Sequence, residues 1–229
     1  MTQLSVGGAP GAFKDWALDS LTWSADGKSL YLSCTLLNPA GGRATFVADA
    51  ATGAVVVDAQ GRWKSIAAVT QADARGPLLV GVGLDRLSGT AGARPTGRFY
   101  PLMVTNLAEG KTTSLLPPAF VPADRPPYAL ATSPALSPDA RSIAFAALGN
   151  GLWQVDTDGR TYLQLTTDPA DDAPRWREDG RQILFLSTRP GDPNATTDLY
   201  ELSLTASPSE PARRRPILAN VDRFFVVPD

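Results

Sequence analysis

The stretch APRWREDGRQILFLSTRPGDP, Ala173–Pro193, decides the fold. A proline and a tryptophan lead into the polar corner Glu178-Asp179-Gly180-Arg181, and an alternating apolar run follows. An Asp side chain bonds its own backbone and Gly accepts positive φ, so such a corner is a tight turn between two antiparallel strands. The arrangement recurs in LTWSADGKSLYL (Leu21–Leu32) and PALSPDARSIAF (Pro134–Phe145). Trp23, Leu136 and Trp176 share one place in it, and Asp26, Asp139 and Asp179 another.

Each corner strand is followed by a second strand that ends in a turn: Thr45–Ala54, Leu152–Thr161 and Leu199–Pro208. A short outer run then closes the unit: VVVDA, YLQLT or RPILA. The order is therefore inner, second, third and outer strand. A weaker copy fits SIAAVTQADARGPLLVGVGL (Ser65–Leu84), with an inner strand, a corner at Asp73 and a second strand, completed by Tyr100–Leu116. Between these parts Asp85–Arg98 reads as a long loop without a strand of its own. The units run over about 18–60, 62–119, 127–169 and 171–220. Four-stranded repeats of roughly forty to fifty residues are what propeller blades look like.

The segment from Leu163 to Leu204 resembles the repeat of the TolB-like, WD40-like (PD40) β-propeller family. The likeness rests on Leu165, Thr166, Pro174, Trp176, Asp179, Gly180, Ile183, Phe185, Ser187, Arg189, Asp198 and Tyr200. The third unit keeps SPDARSIAF but has Ala140 where the family has glycine, and the second unit keeps little beyond spacing. The expected fold is an all-β propeller, a single domain over 1–229. It has about four complete four-stranded antiparallel blades and a partial one shared by strands at 2–6 and 221–229. A compact closed ring, an open ring completed by another chain and a piece of a longer protein all fit this count.

The absence of histidine removes His-based triads, His-containing zinc sites and a histidine pH switch. One cysteine, Cys34, permits neither an intrachain disulfide nor a thiolate metal cluster, and its strand context suits a buried apolar residue. A Gly-x-Ser-x-Gly elbow is also missing. Of the four glutamates, Glu109 and Glu178 fall in turns and Glu210 in a loop; only Glu201 falls in a strand, so a paired-carboxylate mechanism has poor footing. The net charge of −2 offers no general field for nucleic acid, and the single basic cluster, Arg213–Arg215, reads as a solvated connection. No run approaches the roughly twenty apolar residues of a membrane helix, and the N-terminus has no export-signal pattern, so direct membrane insertion is not expected.

What remains is a noncatalytic scaffold that binds another protein. The candidate contacts are Arg86, Arg94, Arg98, Phe99 and Tyr100 in and beside the long loop, with Asp171, Asp172 and Trp176 around the fourth corner strand, because loops on a rigid scaffold carry recognition. Packing is the competing account of Trp23, Trp153 and Trp176, which lie on strands. DPADD, Asp168–Asp172, is a candidate calcium loop through Asp168, Asp171 and Asp172, against the plainer reading of an exposed polar connection; no other cofactor is expected. The family resemblance implies membership of a larger complex or a membrane-associated cell-envelope assembly, in an extracytoplasmic or periplasmic setting; with no export-signal pattern at the N-terminus, a cytoplasmic setting is the alternative. A carbohydrate- or small-ligand-binding propeller, with hydrolysis as a variant, is the alternative.

Overall fold

The computed structural model describes residues 16–37, 42–57, 59, 64–83, 85–86, 98–99, 101–115, 131–147, 149–189, 196–204 and 213–224. All of the regular structure among them is β. The chain divides into two units, residues 1–114 and 115–229.

In the first unit, β1 (Trp16–Trp23), β2 (Ser29–Leu36), β3 (Arg43–Asp49) and β4 (Ser65–Ala67) form an antiparallel sheet in chain order. Leu30, Leu32 and Cys34 alternate along β2 opposite Trp23, Leu21 and Leu18 of β1, and the β2 residues join Phe46 and Ala48 in a buried cluster against Trp16. The other face meets the next sheet: Tyr31 packs on Ala72, Ala74 and Leu79, and the Thr45 hydroxyl donates to the Val69 carbonyl at 3.1 Å. That second sheet is ordered β10-β9-β6-β5, from β5 (Thr70–Arg75), β6 (Leu78–Val82), β9 (Leu102–Asn106) and β10 (Lys111–Ser114).

Three sequence expectations change here. The corner assigned to Asp73 lies at Gly76-Pro77; Asp73 is inside β5 opposite Val80, because Gly76 supplies the positive φ (53°) that Asp73-Ala74 does not. VVVDA does not form the outer strand of the first sheet. Val55 makes a single bridge to Ala48, and Ser65–Ala67, expected to open the second unit, pairs with β3 instead. The Ser65 hydroxyl holds that short strand by donating to the Ala67 carbonyl at 2.9 Å. Finally, the long loop is pinched at its base by a two-residue ribbon, β7 (Asp85–Arg86) with β8 (Arg98–Phe99).

In the second unit, β11 (Ala131–Leu136), β12 (Ser142–Ala147), β13 (Leu152–Asp156) and β14 (Tyr162–Gln164) form one meander. The next is β15 (Asp171–Trp176), β16 (Gln182–Thr188), β17 (Thr197–Ser203) and β18 (Arg213–Leu218). They pack through Ala135, Ala144, Ala146 and Leu152 on one side and Trp176, Ile183, Phe185 and Leu202 on the other. Both corners fold as their residues require. Asp139 accepts from the Ser137 hydroxyl at 2.6 Å and from the Arg141 N–H at 3.1 Å; Asp179 accepts from the Arg181 N–H at 2.9 Å. Gly180 takes φ of 66°, and Ala140 takes 57° at the equivalent place. Val221–Phe224, expected to start a further inner strand, is not in a strand; residues 2–6 and 225–229 of that expectation lie outside the described residues.

Candidate functional site

The fourth sheet gathers most of the charge that the sequence singled out. Asp171 starts β15 with its side chain fully buried, and the Arg214 guanidinium from β18 comes within 3.1 Å of its Oδ1. The same guanidinium lies 3.4 Å from Asp168 Oδ2, with its carbon 4.0 Å from the Tyr200 ring centroid and 5.3 Å from that of Phe185. The two rings are stacked, 5.6 Å apart. Burial pushes the Asp171 carboxyl above its ordinary pKa, and the nearby arginine opposes that shift.

Two further buried carboxylates are matched in the same way. Glu201 accepts from Arg215 at 3.0 Å and Arg177 at 3.3 Å, and Asp198 takes a forked contact from Arg189 with a shortest distance of 2.8 Å. Arg213–Arg215, expected to be a solvated connection, is thus part of a strand in which Arg214 and Arg215 answer buried acids. The DPADD carboxylates separate: Asp168 and Asp171 share Arg214, while Asp172 accepts from the Thr132 hydroxyl at 3.3 Å and from the Ala173 N–H at 2.6 Å. Among the described residues no three His, Cys, Asp or Glu side chains converge as metal ligands. The proximity of Asp168 and Asp171 is therefore answered by a guanidinium.

The expected protein contacts fare unevenly. Arg86 stands on β7, and Arg98 and Phe99 on β8, so the backbone brings these three to one ribbon; Arg94 and Tyr100 lie outside the described residues. Asp172 is exposed, but Asp171 is not, and Trp176 is only 5% exposed, with its indole N–H donating to the Ala135 carbonyl at 3.1 Å. Asp171 and Trp176 are corrected from surface contacts to interior residues, because each has its polar group occupied inside the second unit. Trp23 departs from the packing account that Trp176 follows: it is 54% exposed, and Leu18 and Leu21 beside it are 51% and 43% exposed. The repeat alignment put Trp23 and Trp176 in one class; what differs is the neighbour, which a single strand's sequence does not contain.

Across the two units the pattern is uniform. Consecutive four-stranded antiparallel meanders each start with an inner strand broken by a bulge, at Asp19, between Thr70 and Asp73, between Thr132 and Ala135, and between Asp172 and Arg175. Solved structures share this arrangement at low sequence identity. TolB from Acinetobacter baumannii is similar with a TM-score of 0.56 and 11% identity, over 89% of this chain and 44% of that one. The β-propeller domain of the Trilobed protease from Pyrococcus furiosus gives 0.54 and 12%, over 91% and 59%. The fold is that of a β-propeller. The tricorn protease matches as well, with a TM-score of 0.53 and 14% identity over 94% of this propeller chain and 27% of that one. No protein-family model and no curated protein matches. The propeller chain spans 44% of the TolB chain and 59% of the Trilobed protease chain. No helix among the described residues is long and apolar enough to cross a membrane.

Proposed function

We propose that this chain is a noncatalytic propeller module that binds another protein. The observation that carries the reading is the fate of the buried acids. Asp171, Asp198 and Glu201, the buried carboxylates among the described residues, each face at least one arginine within 3.3 Å. A general acid or base must exchange its proton with a reacting group; a buried carboxylate whose oxygens face a guanidinium is engaged within the fold and serves structure. With no histidine in the chain, that leaves surface recognition as the chemistry the propeller offers best. The resemblance carried by the repeat residues supports a role within a larger complex or cell-envelope assembly, outside the cytoplasm.

The test is to cross-link the purified chain in extracts of its source, identify the bound protein and titrate it back in pure form. A saturable one-to-one complex is the expected result. Saturable oligosaccharide binding, or turnover of a glycan by the chain, would replace this reading with the carbohydrate one.

A further inference from the structure

We infer that the inner strand of the first sheet carries a docking site for an extended apolar segment of another protein, anchored on Trp23. The inference rests on the interaction reading above and names the surface and the kind of segment it takes.

The chain itself shows what a tryptophan at this place is built to meet. Trp176 stands opposite Ile183 and Trp23 opposite Leu30, the same position in the two corner strands. Trp176 is covered by β11, the inner strand of the sheet before its own. It packs with Ala135 and Ala144 and gives its indole N–H to the Ala135 carbonyl. Trp23 has the same local setting but is 54% exposed, and among the described residues no hydrogen bond engages its indole. Leu18 and Leu21 lie on the same face, since their partners Cys34 and Leu32 alternate with Leu30 along β2.

The size of the open ground selects the occupant. Immediately beyond β1 on this face, Leu30 and Cys34 are 0% exposed and Leu32 is 2% exposed, so the accessible surface is one strand wide. The exposed halves of two leucines and a tryptophan amount to something on the order of 250 Å², given the roughly 150–250 Å² that one aromatic side chain buries. A stable association of folded surfaces needs about 800 Å² from each partner, so the patch is too small for the sheet of a second copy and suits a single extended segment. Such a segment presents a small apolar side chain and an unoccupied carbonyl to Trp23, as Ala135 does to Trp176, and alternate side chains to Leu18 and Leu21. Tryptophan is also one of the residue types in which binding energy concentrates.

The probe is the blocked hexapeptide ATSPAL, the sequence of Ala131–Leu136, titrated into the full chain while the indole N–H signals are followed by nuclear magnetic resonance. The Trp23 signal is identified by its loss in Trp23→Phe. At millimolar peptide it shifts downfield and saturates, while the signals of the other four of the five tryptophans stay in place. Trp23→Ala and Leu21→Asp each weaken binding at least tenfold with unchanged thermal unfolding. A Trp23 signal that stays still, or five signals that drift together, overturns the proposal. So does concentration-dependent self-association of the free chain that Trp23→Ala abolishes, because a second copy is then the occupant. A protein captured by the chain that ignores Trp23→Ala overturns this site alone and leaves the interaction reading standing.

Discussion

Arg214 and Asp171 stand on the two opposite edge strands of the fourth sheet, yet their charged ends meet at 3.1 Å after the arginine crosses the faces of Tyr200 and Phe185. The guanidinium stacks on the rings and supplies a counter-charge at a carboxylate with no solvent access. Arg214→Ala leaves that acid buried and uncompensated, with an expected loss of about 2–3 kcal/mol, below the full cost of breaking a buried pair because the arginine is partly exposed. Urea unfolding reads this as a lower midpoint at unchanged slope. Arg214→Lys recovers less than half, since an ammonium does not stack as a planar guanidinium does.

The same pair predicts a pH effect whose sign follows from burial. The Asp171 carboxyl has a raised pKa, so between 3.8 and that raised value the folded chain holds more protons than the unfolded one, and its contribution to stability falls as pH rises. Removing Arg214 raises the pKa further and widens that window. The cost of Arg214→Ala is therefore greatest at neutral pH and shrinks toward pH 4, where the orphaned acid takes up a proton. A cost that does not vary with pH would show that Asp171 is not the group responsible.

Ala140 turns the third corner at φ of 57°, where Gly27 and Gly180 turn the first and fourth. A side chain in the left-handed region costs roughly 1–2 kcal/mol, and glycine gives part of that back through its freer unfolded chain. Ala140→Gly is expected to stabilise the chain by about 0.5–1 kcal/mol, read as a rise in the thermal midpoint. The mirror change, Gly180→Ala, is destabilising by a similar amount.

At the same corner the Ser137 hydroxyl donates to Asp139, and this bond holds the Asp139 carboxyl below its ordinary pKa. An acid with a depressed folded pKa contributes stability above its unfolded value and loses it as pH falls through the folded one. Ser137→Ala should therefore lower stability by about 1 kcal/mol at pH 7. The difference from the parent narrows once the pH drops below the range in which Asp139 ionises.

Trp176→Ala removes a side chain packed between two sheets and is expected to cost about 3–5 kcal/mol. Trp176→Phe, which keeps most of the volume but abandons the Ala135 carbonyl, costs about 1–2 kcal/mol. Trp23→Ala, on the exposed counterpart, stays within about 0.5 kcal/mol of the parent. Parallel thermal melts of the three variants are sufficient.

The corners and meanders were legible because their signals are local: an Asp two residues before the N–H it accepts from, a residue with positive φ, a period of two in the strand beyond. Asp73 misled because an Asp followed by a small and a basic residue also fits inside a strand; Gly76-Pro77, three residues on, held the stronger turn chemistry. Within the candidate site, Asp172 is exposed, whereas Asp171, one residue away, faces inward on the opposite side of the strand. Alternation predicts that one of two adjacent acids turns in, but not which, until the register against Ser187 and Leu186 is known. The arginines of β18 were hidden for a different reason. Their acids lie between 14 and 46 residues away in sequence, and no pattern within the strand itself reports them.

The outer margin of the fourth sheet ends in Arg213–Leu218, which places Pro216 opposite Tyr200 between basic residues and an exposed leucine. A proline there has no N–H to extend to an incoming chain. Crowded molecules of this protein are thus poorly equipped to grow into fibres from that side, even where Ile217 and Leu218 lie open to water.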